Sequence, residues 1–486
     1  MQKNKKLYQK KSQKNKSLLI LLFIITLAFQ LYFSFQSDYF YSNESYFHER
    51  LASTIADEKN IITYDNLSYA GKSLIPVQLF HLILAIFSLI PSIFKILPSI
   101  LISTTPILVY LISFKMTNNK KASLISATLT AFLPVLHQST LNQITPLSLF
   151  IPLSLLLYYS FSNLENPKFL KLFIILTILL PFTSPFSLLI AFSIMIYILI
   201  SHSESLKLQR LQKEAGIFSF FFIILANLLL FKEAIAQDNY QIFWQATNLL
   251  GNSFSLIPQF LLSNLLVILL GSMGIFYGLN KSKTRTSLLI SSFIFSIIIL
   301  ATLQIINIQS VLILISIGLV IMSSNTFSYA LKYIKLTKIS KLKSTITILA
   351  LIIVLTLAII PSISVANNLK SEEQMIDDLQ WLRSKEKNTV IISPIEEGHL
   401  VTWLGFKNIA DSNTLLTKDP KERIEDLNTI YLTWSESLAL RLINKYDGSY
   451  LLISSKTKEK IQRETPAYVN ENCFRKERET LYKIIC

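Results

Sequence analysis

From Ser17 to Ser362 the sequence alternates long apolar runs with short polar loops, and this pattern constrains the fold more than any other feature. A helix needs about 20 apolar residues to cross the hydrocarbon core of a bilayer, and several runs reach or approach that length. With 51% hydrophobic residues and a mean hydropathy of +0.47, the chain is more apolar than an ordinary soluble domain. The sequence therefore predicts a polytopic α-helical membrane protein.

The apolar runs predict about 11 crossings, of which the first extends from Ser17 to Phe35. Met1–Lys16 contains seven Lys and no acid, which predicts a cytoplasmic tail followed by an uncleaved first helix. The later spans are predicted near Pro98–Phe114, Ala122–His137, Pro146–Phe161, Leu172–Thr183, Pro185–Ser201, Ile217–Phe231, Phe260–Leu279, Ser287–Leu303, Val311–Ser324 and Thr345–Ser362.

The net charge of +16 is distributed unevenly along the chain. Residues 1–363 contain 28 Lys and Arg against 11 Asp and Glu, whereas residues 364–486 contain 18 against 19. In the predicted topology 23 of those 28 cations fall in inside loops, as the positive-inside rule requires. The excess therefore indicates an integral cell-membrane protein and not a nucleic-acid partner. It places the N-terminus in the cytoplasm and the C-terminal domain outside.

The segment Ile75–Phe94 is apolar enough to count as a further span. If it crossed the membrane, every later basic loop would move to the outer side, against the positive-inside rule. We therefore predict an interfacial or re-entrant helix within a first external loop, residues 36–97. The predicted domains are the tail (1–16), a transmembrane domain (17–363) and an extracytoplasmic domain (364–486).

Acidic and basic side chains crowd together in this first loop. The acids of interest are Asp38, Glu44 and Glu49, and the possible phosphate ligands are His48, Arg50 and Lys72. Carboxylates held at a membrane surface can bind a divalent cation, and cations can bind a phosphate. The alternative is a solvated loop whose charges only keep it in water.

The stretch Glu44-Ser45-Tyr46-Phe47-His48-Glu49-Arg50 resembles the Asp-x-Tyr-Tyr-His-x-Arg signature of archaeal and bacterial oligosaccharyltransferase catalytic subunits, which are GT-C glycosyltransferases. The similarity continues through residues 65–72 and 75–81. The resemblance implies a GT-C-like fold with a large first external loop, Glu44 as metal ligand or general base, and Mn²⁺ or Mg²⁺ as cofactor. It also implies a polyprenyl (dolichyl) phosphate-linked sugar donor contacted by His48, Arg50 and Lys72.

The sequence after Ala366 predicts an α/β domain. Helices are predicted at Glu372–Ser384, Pro420–Thr433 and Glu436–Lys445, and strands at Thr389–Ser393 and Tyr450–Ser454. Alternating helices and strands favour a parallel, doubly wound sheet. Cys473 and Cys486 both lie in this domain, so a disulfide-closed hairpin is predicted, with two free thiols as the alternative.

Residues 378–383 and 389–399 resemble the stretch around the Trp-Trp-Asp-Tyr-Gly motif of the same family, with Pro394, Ile395 and Glu396 in place of Trp-Trp-Asp. Lys407–Asp411 resembles the strand and Asp that follow this motif in the family. By this resemblance, acceptor contacts would come from Glu396, Glu397 and His399. The second external loop, residues 138–145, contains no acid where the family has an acidic pair, and Asn142 is the acceptor-binding candidate there.

Three functions follow from these observations. The first is a GT-C membrane glycosyltransferase that transfers a sugar or glycan to a protein or another acceptor at the outer face. The second is a non-catalytic relative that binds a polyprenyl lipid or a partner glycosyltransferase, which the missing second-loop acid favours. The third, a lipid-linked sugar carrier, is disfavoured because the spans contain almost no ionisable residues.

Overall fold

The structure, a computed structural model, describes residues 2–75, 77–90, 92–204, 206, 208–238, 256–303, 308–337, 343–386 and 389–486. These residues form two compact units. The helical unit comprises the described residues of Met1–Gln36, Lys95–Leu229 and Gly251–Leu369. The sheet unit comprises those of Ser37–Phe94, Leu230–Leu250 and Lys370–Cys486, so the first loop and the C-terminal region form one body.

The helices of the helical unit follow the predicted spans. They are α1 (Gln2–Ser34), α4 (Ile93–Ser103), α5 (Thr105–Thr117), α6 (Lys120–Ala131), α7 (Pro134–Thr140), α8 (Leu147–Phe161), α9 (Pro167–Leu179), α10 (Ser187–Ser203), α11 (Arg210–Leu230), α13 (Leu256–Tyr277), α14 (Arg285–Thr302), α15 (Ile308–Leu336) and α16 (Lys343–Asn368). Each predicted span thus coincides with helical structure, because apolar runs of this length bury backbone polar groups only as helices.

Among the described residues, seven helical segments are long and apolar enough to cross a membrane. Two further apolar helices, α8 and α10, are shorter. The prediction of a polytopic helical membrane protein is confirmed. The number of crossings and their orientation stay predictions, because length and composition alone define these segments.

Glycines allow two long helices of the helical unit to pack closely. An ideal Cβ built on Gly274 of α13 would lie 2.0 Å from the backbone oxygen of Met322 in α15. Asn325 donates from its side-chain amide to the Gly274 carbonyl at 3.3 Å and to the Ser287 hydroxyl at 3.1 Å. Small residues at a helix interface permit such an approach, and the amide then satisfies polar groups within the core.

The sheet unit begins with α2 (Asn43–Glu58), β1 (Tyr64–Asp65), β2 (Lys72–Ser73) and α3 (Leu79–Ile86), and it includes α12 (Lys232–Asp238). The C-terminal part contains α17 (Glu373–Lys385), β3 (Val390–Ile392), α18 (Gly398–Trp403), β4 (Lys407–Asn408), α19 (Pro420–Leu432), α20 (Glu436–Lys445), β5 (Gly448–Leu452), α21 (Ser455–Ile461), β6 (Phe474–Lys476) and β7 (Leu481–Ile484). The predicted α/β character of this region is confirmed.

The five-stranded sheet has the order β4-β3-β5-β7-β6. Strand β3 pairs in parallel with β4 and β5, but β7 is antiparallel to both β5 and β6. The predicted parallel pairing is therefore confirmed for β4, β3 and β5. It is wrong for β7, which pairs antiparallel with β5, while β6 and β7 form the hairpin predicted around the two cysteines. The last two strands are joined by a short connection, which permits only a hairpin.

Cys473 and Cys486 form a disulfide with a Cα–Cα distance of 4.9 Å. The bond flanks the β6–β7 hairpin, since Cys473 immediately precedes β6 and Cys486 follows β7. It therefore ties the C-terminal end of the chain to the outer edge of the sheet.

The segment Ile75–Phe94 contains the eight-residue helix α3 (Leu79–Ile86). A helix of this length spans about 12 Å and is too short to cross a bilayer. Ile86 and Leu89 are exposed at its end. This geometry is compatible with the predicted interfacial position of the segment.

Candidate active site

Glu44 occupies the first turn of α2, and its side chain is exposed. A carboxylate is stabilised at this position because the N-terminus of a helix carries a partial positive charge. Other positions of α2 are buried, among them Tyr46, Ala52 and Ile55. Glu44 is therefore an accessible acid at the start of a helix that is fixed by packing along its length.

The helix α18 supplies part of that packing. The Trp403 ring lies 4.8 Å from the Tyr46 ring, and the His399 ring lies 5.2 Å from the Phe47 ring. Aromatic contacts at these separations contribute about 0.5–1.5 kcal/mol each beyond area burial. The first-loop signature thus packs on the stretch that follows the Pro-Ile-Glu sequence.

Glu44 is linked to the buried part of the unit through Ser412. The Ser412 hydroxyl donates to Oε1 of Glu44 at 3.4 Å and lies 2.9 Å from Nε2 of His399. His399 is buried, and its Nδ1 lies 3.6 Å from Oδ2 of Asp411. Burial lowers the pKa of His399, so this imidazole is neutral near pH 7.

Asp411 is the centre of a buried polar network. Its carboxylate accepts hydrogen bonds from the Ser68 hydroxyl and from the Asn408 amide, the latter at 3.3 Å. It also forms an ion pair with Lys72 at 3.3 Å, in which both side chains are almost completely buried. Burial alone raises the pKa of Asp411, but His399, Lys72 and the hydrogen bonds outweigh it and lower the pKa to about 2.

The turn at Tyr69 joins the first loop to this network. Tyr69 and Ala70 both adopt left-handed backbone conformations, with φ of 55° and 56°. The backbone N–H of Tyr69 donates to Oδ1 of Asn408, and its hydroxyl donates to the backbone oxygen of Asp411, both at 2.7 Å. The strain of two non-glycine residues at positive φ is thus offset by buried hydrogen bonds.

Arg50 is paired with Asp65. Its two terminal nitrogens donate to the two carboxylate oxygens at 2.9 and 2.5 Å, in a bidentate arrangement. Burial raises the pKa of Asp65, but the hydrogen bonds and charge of Arg50 outweigh this effect and lower it. Asp65 also accepts the backbone N–H of Leu67 at 3.0 Å, which fixes the start of the turn that contains Ser68.

His48 forms a hydrogen bond with His81, with 2.7 Å between Nδ1 and Nε2. The bond links α2 to α3. Burial lowers the pKa of both imidazoles, to about 3 for His81. The pair is therefore neutral near pH 7.

Acidification is expected to destabilise the sheet unit through this pair. An unfolded histidine has a pKa of about 6.5, so between pH 6.5 and 3 the unfolded chain binds more protons than the folded one. Stability should therefore fall as the pH is lowered through this window, by about 2 kcal/mol for His81 at about pH 5. Thermal unfolding followed by tryptophan fluorescence measures the effect, since Trp403 contacts α2.

The matched variants are His81→Gln and His202→Gln, the second at an exposed histidine. The first should weaken the pH dependence, and the second should leave it as in the wild type. Equal pH dependence in His81→Gln and the wild type would contradict this assignment.

The remaining predicted site residues do not converge. Asp38 and Glu396 are exposed, Glu49 is half-buried, and Asn142 belongs to the helical unit. Glu397 is buried and accepts a hydrogen bond from Ser454, and burial raises its pKa to about 8. Glu396 contributes its backbone oxygen to a 2.9 Å hydrogen bond from the Asn43 amide.

The cation implied by the family resemblance requires several oxygen or nitrogen ligands. Among the described residues, no group of three or more His, Cys, Asp and Glu side chains could hold a metal ion. Glu44 contacts Ser412 and is the accessible acid of this cluster. The donor set does not fit a divalent cation, and we derive no chemical step through one.

Three residues of the cluster had no role in the sequence-based prediction: Asn408, Asp411 and Ser412. Asp411 and Ser68 are 343 positions apart in the chain, so no local pattern connects them. The available signal was indirect, because Lys407–Asp411 and Asp65–Lys72 each resemble family sequence. Neither stretch indicates by itself that the two are in contact.

No protein-family model and no curated protein matches the sequence. Solved structures do. The chain is similar to the Archaeoglobus fulgidus oligosaccharyltransferase AglB in complex with an inhibitory peptide and a dolichol-phosphate, with a TM-score of 0.69, 13% identity, and coverage of 91% of this chain and 69% of that one. It is also similar to the Archaeoglobus fulgidus oligosaccharyltransferase in complex with Zn and sulfate (TM-score 0.63, 14% identity, coverage 90% and 67%).

A third similar structure is ArnT from Cupriavidus metallidurans bound to undecaprenyl phosphate, with a TM-score of 0.53, 9% identity, and coverage of 96% of this chain and 97% of that one. These identities establish the fold alone. The chain shares the fold of these structures, so the predicted GT-C-like fold is confirmed.

Proposed function

With the GT-C fold as premise, we propose that this protein is a membrane glycosyltransferase that takes a sugar or glycan from a polyprenyl phosphate-linked donor. The acceptor is a protein or another glycan at the outer face. The observation that carries the proposal is the position of Glu44, an exposed carboxylate on a packed helix in the first loop. Similar folds bind dolichol-phosphate and undecaprenyl phosphate, which supports a lipid-linked donor.

In this proposal Glu44 acts as a general base. It takes a proton from the acceptor nucleophile while the bond between the sugar and the donor phosphate breaks, and the phosphate leaves on the lipid. Positioned acid–base catalysis of this kind contributes about 10²–10⁴-fold to a rate. The contact with Ser412 and the packing of α2 keep the carboxylate in one place.

Arg50 and Lys72 have structural tasks in the sheet unit. The Arg50 guanidinium is paired with Asp65, and the Lys72 ammonium is buried against Asp411. A cation already committed to a buried carboxylate gains little by contacting a phosphate, since the carboxylate would lose its partner. We therefore assign both to positioning of the first loop and not to the donor phosphate.

The substitution Glu44→Gln tests the proposal. It keeps the size of the side chain and removes the base, so we expect transfer to fall by about 100-fold or more. Cells that lack the gene should accumulate polyprenyl-linked sugar and lose a surface glycan, as mass spectrometry would show. The wild type should restore both, and Glu44→Gln should not.

The control is Asp57→Asn, at an exposed acid near the other end of α2, which should restore both quantities. A second candidate function is that of a non-catalytic relative. It is favoured because, in the part of the chain that the structure describes, no group of three or more His, Cys, Asp and Glu side chains could hold a metal ion. In that case Glu44→Gln would complement as well as the wild type, and the catalytic assignment would be wrong.

A further inference from the structure

A cavity of about 260 Å³ lies in the helical unit, apart from the residues described above. It is formed where α5 and α8 end and where α9, α11 and α14 begin, so its residues share one end of the helices. The charge pattern predicts that this is the cytoplasmic end, because the basic inside loops connect there.

Two cations line the cavity, Lys115 in the last turn of α5 and Arg285 at the first position of α14. One acid, Glu165, lines it as well, and that carboxylate accepts a hydrogen bond from the Gln209 amide. Lys115 donates to Oδ1 of Asn163 at 2.9 Å. Two cations therefore line the cavity together with one acid, and that acid already accepts a hydrogen bond from an amide. The cavity thus favours an anionic ligand.

A buried amide also makes the cavity favour a ligand that can donate a hydrogen bond. Gln212 lines it and is 6% exposed, and its Oε1 has no hydrogen-bond partner among the described residues. A buried acceptor without a partner is costly, and a ligand hydroxyl that donates to it removes that cost. Three aromatic side chains and a leucine form the apolar part of the wall.

We propose that this cavity binds a phosphate ester that carries hydroxyl groups, with Arg285 and Lys115 on the phosphate and Gln212 on a hydroxyl. Glycerol phosphate, as the headgroup of an acidic phospholipid or as a free molecule, has this chemistry. The inference does not depend on the proposed transferase activity. It assigns a lipid-type anion site to the end of the helical unit that the topology places inside the cell.

Binding is tested on the full chain, freed of lipid in a zwitterionic detergent. Native mass spectrometry counts retained phosphatidylglycerol, with phosphatidylcholine as the reference. We expect the double variant Lys115→Gln/Arg285→Gln to bind phosphatidylglycerol at least about tenfold more weakly, since both charge-assisted hydrogen bonds to the phosphate are lost. The matched control Lys120→Gln/Lys121→Gln removes two exposed cations at the start of α6, outside the cavity, and should bind as the wild type does.

Free glycerol 3-phosphate forms the second arm. Retention of phosphatidylglycerol without binding of glycerol 3-phosphate identifies a lipid site, and binding of both identifies a site for the phosphate group from either source. Absence of binding in the wild type, or equal binding in wild type and double variant, would overturn the proposal.

The variant Gln212→Leu tests the hydroxyl contact and serves if the double variant does not fold. Phosphatidylethanol has the same charge as phosphatidylglycerol but no headgroup hydroxyl. The wild type should prefer phosphatidylglycerol, and Gln212→Leu should bind the two lipids equally. A wild type without this preference would contradict the assignment of Gln212.

Discussion

Asp411→Asn is expected to destabilise the sheet unit by about 3–5 kcal/mol, because it leaves the Lys72 ammonium buried without a counter-charge. Both side chains are at most 1% exposed, so water cannot replace the lost partner. The Asp411 carboxylate also accepts from Ser68 and Asn408, and an amide cannot accept at both of its positions. Chemical denaturation followed by tryptophan fluorescence measures the loss.

A double-mutant cycle separates the ion pair from the hydrogen bonds. Lys72→Met removes the buried cation, so Asp411→Asn should cost less in that background than in the wild type. The cost of Asp411→Asn should also fall at high pH, since burial lowers the pKa of Lys72 and the neutral amine tolerates an apolar site.

Asp419→Asn is the control, because Asp419 is an exposed acid in the same segment. It should change stability by less than about 0.5 kcal/mol. If Asp411→Asn is equally mild, or if the two substitutions of the cycle are additive, then the buried pair does not organise the unit as we describe. Such a result would also mean that the network of Ser412 and His399 does not position Glu44.

The sequence was informative where structure is local. Helix α20 has the bounds predicted for it, Glu436–Lys445, because apolar residues recur on one face between a serine cap and a basic last turn. The positions of β3 and β5 were predicted to within two residues, since short apolar runs between polar segments are typical of buried strands. The first-loop signature also drew attention to Glu44, which is exposed on α2, and its catalytic role stays a prediction.

Contacts between distant segments were not predictable from one sequence. In the sequence, Lys72 is a cation near a membrane with no evident partner. In the structure it contacts Asp411, which lies 339 positions later in the chain. Arg50 has its partner 15 positions away, but a turn must form before they meet. The hairpin of β6 and β7 was predicted, but the antiparallel pairing of β7 with β5 was not. Each feature that the sequence did not predict is a contact between two segments. Composition and periodicity do not specify which segments meet.

The second large effect is expected in the helical unit. Gly274→Ala would place a methyl group 2.0 Å from the Met322 backbone oxygen, and a backbone atom can move away only if the two helices separate. Separation would also break the bond from the Asn325 amide to the Gly274 carbonyl. Overpacking costs about 1–3 kcal/mol, and the loss of a partner by a buried amide costs about 1–3 kcal/mol more. We expect a total loss of about 3–5 kcal/mol.

Gly216→Ala is the matched control, because its Cβ would meet the end of the Ile198 side chain at 2.7 Å. That methyl group can rotate away, and alanine favours a helix over glycine by about 1 kcal/mol, so the two effects nearly cancel. Thermal unfolding in detergent, followed by circular dichroism, should therefore show a much lower Tm for Gly274→Ala and a nearly unchanged one for Gly216→Ala. Equal Tm values would mean that α13 and α15 do not pack through backbone contact at Gly274, and that the Asn325 amide does not depend on their close approach.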